Sequence, residues 1–260
     1  MIIDEHIIER ACKSCSSLRN SSCPYHVDEK DRCRAVADTL AAASRRVLYF
    51  DTETTGLPHH PADPALYGET HNAGGYPRLV QLAWILTDGL GRTLSEQSHI
   101  IRPDRFTIPE DASAIHGITT GKAKTEGAPV DVVLGDFTGD LLQADLIVGH
   151  NIDFDVEVIR EELERIGVQE ASEKLTSTPV VDTMKETVEL CAIPYPEGEP
   201  RKYDTGCDYK YPKLRELYKV LFRKDFENAH DALADIRATR ECYEELRRRD
   251  LLNQISAKDE

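Results

Sequence analysis

The chain has 260 residues, a 40% hydrophobic share and a formal net charge of −15 at pH 7. That charge excludes a protein that coats nucleic acid by bulk positive charge. It does not exclude a metal-dependent nuclease, in which bound cations supply the local positive charge.

No apolar run approaches the roughly eighteen residues that a membrane span needs. The opening Met1-Ile2-Ile3-Asp4-Glu5-His6 has no basic stretch leading into an apolar one. The expectation is a soluble, cytoplasmic protein with no membrane partner. Seven cysteines make an odd count, and in a reducing compartment structural disulfides are disfavoured.

Residues 1–45 differ from the rest and hold Cys12, Cys15, Cys23 and Cys33, with His26 three residues after Cys23. Cys12 and Cys15 form a C-x₂-C knuckle. With Cys23 and either His26 or Cys33 they offer four ligands for a tetrahedral structural zinc. An iron–sulfur cluster on the four cysteines is the other metal reading. Without a metal, Cys33 packs with Val36, Ala37 and Leu40 on the apolar face of a helix over 28–45. Cys191, Cys207 and Cys242 read as buried or inert thiols.

The run Val47-Leu48-Tyr49-Phe50 predicts a strand over 46–54, buried on both faces. It delivers Asp51 and Glu53. The two-residue period of a strand puts both acids on one side, about 7 Å apart along it. Two carboxylates there repel each other, and a divalent cation between them relieves that repulsion. Gly56 then permits a tight turn close to a ligand.

Residues 58–77 read as a long loop rich in Pro, Gly, His and Asn. A loop of that length beside a candidate site suits a rim or lid, with His59, His60 and His71 as solvated residues. A second strand follows over 78–88, a hairpin turn at Asp88-Gly89-Leu90-Gly91, and a third strand over 92–102. A short helix ending at Gly117 lies within 108–119. Helical spacing marks 129–143, a buried strand 145–151, an amphipathic helix 153–167 and a short strand 179–183. Residues 194–212 are loop, 214–222 a helix, and 229–249 the last long helix. This order predicts an α/β fold, a mixed sheet with helices on both faces.

Three further patterns join the acidic strand. Asn151-Ile152-Asp153-Phe154-Asp155 opens a helix directly after a strand, where α/β proteins place their sites. Asp153 and Asp155 read equally well as first-turn acids favoured by the helix dipole. His230 and Asp235 are five apart at the start of the last helix.

Together these patterns resemble the DnaQ-like, DEDDh family of 3′→5′ exonucleases. Its first motif is matched by Phe50 to Leu57, its second by Gly149 to Asp155 and its third by His230 to Asp235. Ala114-Ile115-His116-Gly117-Ile118-Thr119 resembles the family's H-G-I-T element. The resemblance covers about 46–248.

The resemblance implies an RNase H-like mixed five-stranded sheet over 46–250, with a small Cys-rich segment before it and a tail at 251–260. It implies that Asp51, Glu53, Asp155 and Asp235 hold two Mg²⁺ or Mn²⁺ ions around the scissile phosphate, with Asp51 bridging them and His230 as general base. The backbone of Thr54, Thr55 and Gly56 then faces the terminal nucleotide, Leu57 wedges at its base, and His116 approaches it. His150 and Asn151 help to position the strand; a structural cap partner and an N-cap are their alternatives.

Arg201, Lys202, Lys210, Lys213 and Arg215 flank the approach to the last helix, with Tyr203, Tyr209 and Tyr211 among them. They read either as a solvated loop or as guides for a phosphate backbone. The function expected is hydrolysis of single-stranded or frayed 3′ ends of DNA or RNA. The alternative is a non-catalytic nucleic-acid-binding or polymerase-docking module on the same fold. A DNA polymerase and a second copy of the chain are the protein partners considered.

Overall fold

A computed structural model describes residues 44–58, 75–197, 201, 205–226 and 231–252. The candidate zinc ligands Cys12, Cys15, Cys23, His26 and Cys33 lie outside the described residues. So do His59, His60, His71, Lys202, Tyr203 and the candidate base His230.

Strands β1 (Arg46–Thr54), β2 (Leu79–Asp88) and β3 (Thr93–Ile100) form an antiparallel ribbon. Strand β4 (Leu146–Gly149) adds to the other side of β1 in parallel, and β5 (Val180–Asp182) adds to β4 in parallel. The sheet order is β3-β2-β1-β4-β5, the mixed five-stranded sheet expected. Its central strand is the one that carries the acids.

Alternation along β1 sends its residues to two different cores. Leu48 and Phe50 join Leu82, Trp84 and Leu86 of β2 on one face. That face is covered by three helices: α3 (Val130–Leu141), α4 (Ile152–Arg165) and α5 (Gln169–Ser177). Phe137 of α3 packs edge-on to both Phe50 and Trp84. Val47 and Tyr49 face the opposite way, with Ala83, Ile85 and Val148, onto α8 (Ala232–Arg248). The short helices α1 (Glu110–His116) and α2 (Thr120–Glu126) pack on Val80 near the ribbon's edge. α6 (Val188–Cys191) and α7 (Leu214–Phe222) pack with α8 in a further cluster. No helix among the described residues is long and apolar enough to cross a membrane.

Three of these helices were not expected from the sequence. α2, α5 and α6 have 7, 9 and 4 residues, too short to show a sustained helical period. α2 is nevertheless started by a Thr119 cap, whose side chain accepts from Lys122 N. The chain ends β4 at Gly149 because the backbone turns sharply there. A β-carbon added at Gly149 would lie 2.5 Å from the Ile152 side chain.

α4 is fixed to the sheet by two buried acids seven residues apart, hence on one face. Asp155 accepts from Thr52 N at 2.9 Å and from Thr52 Oγ1 at 2.6 Å. Glu162 accepts from Arg78 Nε at 2.8 Å and from Leu79 N at 3.3 Å, and its second oxygen from Arg165. The side chains of Arg78 and Glu162 are 7% and 1% exposed, so neither charge has water to fall back on. The Arg78 guanidinium also lies 4.5 Å over the Phe106 ring.

Glu162→Ala is therefore expected to cost about 3–5 kcal/mol of unfolding free energy, because it strands a buried guanidinium. The double change Arg78→Met with Glu162→Leu is expected to recover most of that. Urea unfolding of both variants checks this; a Glu162→Ala midpoint equal to that of the unsubstituted chain would refute it.

Candidate active site

The acids meet at the carboxyl end of β1, where its alternation sorts them by layer. Asp51 and Glu53 follow Val47 and Tyr49 onto the α8 side. Asp235, in the first turn of α8, meets them there. One carboxylate oxygen from each of Asp51, Glu53 and Asp235 lies within 4.8 Å of the other two. Thr52 and Thr54 point to the opposite layer, where Thr52 holds Asp155. Asp155 is thus not a member of that trio, yet it lies close enough to raise the pKa of both Asp51 and Glu53. Asp231 adds its charge to both as well, while capping α8 by accepting from Leu233 N and Ala234 N.

So many acids in one place are uncomfortable without a counter-charge. Burial, then Asp155 and Asp235, push the Asp51 carboxyl well above the usual carboxylate range. Burial and Asp235 push Glu53 up to about 8. Burial raises Asp155 too, against the two hydrogen bonds from Thr52 that favour its charged form. Hard oxygens converging from two elements, each partly open to solvent, fit a divalent cation of the Mg²⁺ or Mn²⁺ type.

The turn after β1 is built from its own threonines. Thr54 Oγ1 donates to Gly56 O at 2.7 Å. Gly56 has φ +147°, a conformation that L side chains rarely adopt. Thr55 and Arg78 clasp each other: Thr55 N donates to Arg78 O at 3.0 Å, and Arg78 N to Thr55 Oγ1 at 2.9 Å. Leu57 beyond the turn is 72% exposed, and Ile115 on α1 is 62% exposed. His116 ends α1 beside the backbone of Thr54. Ile118 N donates to its Nδ1 at 3.1 Å, which leaves the proton of the neutral ring on Nε2. Burial holds its pKa below the usual histidine value.

His150 is committed inside the protein. Its Nε2 bonds Pro212 O at 2.9 Å and its Nδ1 bonds Thr183 Oγ1 at 3.0 Å. Burial lowers its pKa to about 4, so the ring is neutral with one proton. The Pro212 carbonyl can only accept, so that proton is on Nε2, and the one proton of the Thr183 hydroxyl lies between Nδ1 at 3.0 Å and the Gly149 carbonyl at 2.9 Å. The ring ties the end of β4 to the chain just before α7. Asn151 stands at the N-cap position of α4 in a left-handed conformation (φ 66°, ψ 36°), but its side chain caps nothing and is exposed. Asp153 is also exposed and pairs with Lys185.

The structure adds residues that sequence reasoning passed over. Asp182, at the end of β5, is buried; its Oδ1 accepts from Asn151 N and Met184 N, each at 2.9 Å. It therefore sets the left-handed turn that launches α4, and burial raises its pKa. Thr52, Arg78 and Glu162 act in the same supporting way. Only Asp182 had a signal, an acid at the end of an apolar run.

Residues 48–243 match the exonuclease family RNase_T. The chain belongs to that family of DnaQ-like 3′→5′ exonucleases. An exonuclease domain therefore occupies three quarters of it. A DNA polymerase III subunit epsilon from Treponema pallidum (strain Nichols) is 30% identical over 145 residues, 55% of this chain and 59% of that protein. A PolC-type DNA polymerase III from Lacticaseibacillus paracasei is 27% identical over 197 residues, 76% of this chain and 11% of that protein. The chain thus spans a part, at most 59%, of these two relatives. Among solved structures, E. coli exonuclease I with a dT13 oligonucleotide superposes with a TM-score of 0.57 at 23% identity, over 78% of this chain and 41% of that one. Exonuclease I from Methylocaldum szegediense gives 0.59 at 24% identity, over 82% and 43%. These likenesses support the RNase H-like exonuclease fold.

The raised carboxyls of Asp51 and Glu53 have a consequence for stability. In the folded chain Asp51 and Glu53 keep protons at pH values where the unfolded chain has lost them. The stability this adds is fully present below the unfolded values near 4 and is lost as pH climbs toward about 8. Bound cations remove the repulsion that then appears. Added Mn²⁺ is therefore expected to raise the melting temperature more at pH 8 than at pH 5, and less in Glu53→Gln than in the unsubstituted chain. Thermal unfolding with Mn²⁺ and with EDTA reads this; equal increments at both pH values would refute it.

Proposed function

We propose that this chain is a divalent-metal-dependent 3′→5′ exonuclease that releases nucleoside 5′-monophosphates from single-stranded or frayed 3′ ends of DNA or RNA. The observation that carries the reading is the convergence of Asp51, Glu53 and Asp235, with Asp155 locked to the same strand through Thr52, on the scaffold of an exonuclease family. The E. coli neighbour is solved in complex with a dT13 oligonucleotide, which supports a single-stranded substrate.

In this reading Asp51, Glu53, Asp155 and Asp235 hold two Mg²⁺ or Mn²⁺ ions. The ions supply Lewis acidity, which acidifies the attacking water and offsets charge on the leaving oxygen. His230 accepts the water proton; an unperturbed imidazole pKa near 6.5 suits that task. The water oxygen bonds to phosphorus, the bond from phosphorus to the 3′-oxygen of the preceding nucleotide breaks, and that oxygen takes a proton from solvent to become the new 3′-hydroxyl. The turn at Thr54, Thr55 and Gly56 and the exposed Leu57 receive the terminal nucleotide, with His116 beside them. His150 and Asn151 serve the strand indirectly, His150 by holding Pro212 and Asn151 by opening α4.

A proofreading unit that works beside a polymerase is the second reading, favoured by relatives that are themselves DNA polymerase III components.

The test is a 5′-labelled single-stranded oligonucleotide, as DNA and as RNA, with Mg²⁺, Mn²⁺ or EDTA. A metal-dependent ladder shortening from the 3′ end is expected. Asp51→Ala and Asp155→Ala are expected to abolish it. His230→Ala is expected to slow it by about 10²–10⁴-fold, with far-UV circular dichroism unchanged in each variant. A full-rate ladder from any of the three would remove that residue from the site.

A further inference from the structure

The acids that suit metal ions pose a problem for the strand. Asp51, Glu53, Asp155, Asp182, Asp231 and Asp235 gather at one end of the sheet, and the substrate is itself a polyanion. Bound cations answer for the scissile phosphate. The phosphates farther along the strand need positive charge from the protein, in a chain of net charge −15.

The flanking basic residues differ in how they are placed. Arg201 pairs with Asp208 at 2.8 Å, Lys210 with Glu216 at 2.6 Å, and Lys185 with Asp153. Arg215 stands apart by its level in the fold. It lies in the first turn of α7, and α7 runs alongside α8 in the same direction. Tyr218 donates to Glu241 at 2.6 Å, and farther along Arg249 donates to the Leu221 carbonyl at 2.8 Å. One turn back from Tyr218, Arg215 comes level with the first turns of α8, the part of the helix that carries Asp235. The carboxylate of Asp235 is close enough to favour its charge. The bond from His150 to Pro212 fixes the start of α7 to the end of β4, so Arg215 is held at the same end of the sheet as the acids.

Its present partner can release it. Arg215 uses Nε and Nη2 on the two oxygens of Asp225, both at 3.1 Å. The pair is exposed, 53% and 36%, so water and salt weaken it. Asp225 also holds Lys219 at 2.9 Å and keeps a partner if Arg215 turns away. A guanidinium carries five N–H donors in a planar fork that suits phosphate, and the Asp225 pair engages only two of its nitrogens.

We propose that Arg215 is a substrate-binding residue that contacts a backbone phosphate on the 5′ side of the scissile bond, sharing or leaving Asp225 to Lys219 as it does so. The proposal rests on the exonuclease reading above and adds to it a protein contact for the strand beyond the metal site.

Two substrates separate the two claims. One is a 5′-labelled single-stranded oligonucleotide. The other is the p-nitrophenyl ester of thymidine 5′-monophosphate, which has a single phosphate and no strand beyond it. In Mn²⁺, Arg215→Gln is expected to lower kcat/KM on the oligonucleotide by ten-fold or more, mainly through KM. The slope of log KM on log salt is expected to fall by about 0.7, the share of one single-strand phosphate contact. Activity on the ester is expected to stay within about twofold. Asp225→Asn breaks the same pair but keeps the cation, and is expected to stay within twofold on both substrates. Oligonucleotide kinetics unchanged in Arg215→Gln would overturn the proposal. So would an equal loss in Asp225→Asn, which would mark a structural clamp, or an equal loss on the ester. Inactivity of the unsubstituted chain on both substrates in Mg²⁺ and Mn²⁺ would overturn the exonuclease reading itself, and this proposal with it.

Discussion

Like-charge repulsion at the end of β1 is the constraint on which the rest of the structure turns. A buried carboxylate is costly alone, and a second one nearby makes it costlier. Here two come from one strand and others from two helices. The chain answers in part with hydrogen bonds. Thr52 gives Asp155 both its backbone N–H and its hydroxyl. Asp182 is held by two backbone N–H groups, and so is Asp231. These donors fix where each acid points. They do not neutralise it, and burial together with that remaining charge makes Asp51 and Glu53 favour their protonated forms. What remains is an appetite for a cation, and in that sense the electrostatic strain and the proposed chemistry are the same property.

The pleat of one strand organises the response. Odd positions of β1 serve α8 and even positions serve the layer of α3 and α4, first as core residues and then, past Phe50, as polar ones. The same alternation that puts Tyr49 on α8 and Phe50 on α3 puts Asp51 and Glu53 toward Asp235, and Thr52 toward Asp155. A one-residue slip of β1 would exchange the two sets and dismantle the site along with both cores. Packing and chemistry are therefore specified by one register. The ion pair of Arg78 and Glu162 guards that register from the α4 side: it anchors the helix two turns beyond Asp155, while the backbone of Arg78 clasps Thr55.

What could be read from the sequence follows from this geometry. Strand β1, the shared side of Asp51 and Glu53, and the turn at Gly56 depend on period and on local conformation, which are visible in a linear string. Strands β2 to β5 and the long helices fell within a few residues of expectation for the same reason. The supporting residues were not visible. Nothing near Arg78 in sequence announces that it will face Glu162, 84 positions away, and both look like ordinary surface charges. His150 had two readings in the sequence, a contact with the strand and a structural partner. Its place in a motif suggested contact with the strand, but its two ring nitrogens are spent on Thr183 and Pro212. Asn151 looked like a side-chain cap, whereas its backbone does the work, donating to Asp182. Roles that arise from a group's partners need the fold before they can be assigned.

The commitment of His150 bears on how the site is assembled. The chain between β5 and α8 is long, and much of it is loop, so the position of α7 is not dictated by a short connection. A neutral imidazole with one donor and one acceptor is suited to the joint, because it satisfies a carbonyl on one side and a hydroxyl on the other without bringing a charge. A charged residue there would add to an already crowded field. Burial that holds the ring's pKa near 4 keeps the joint neutral through the pH range in which the neighbouring acids titrate. The acids can thus change charge state, or take up a cation, while the segment that carries α7 and its basic residues stays where it is. A site that concentrates negative charge at the end of one strand needs such a joint, since its positive counterparts come from a part of the chain that the sheet does not itself hold.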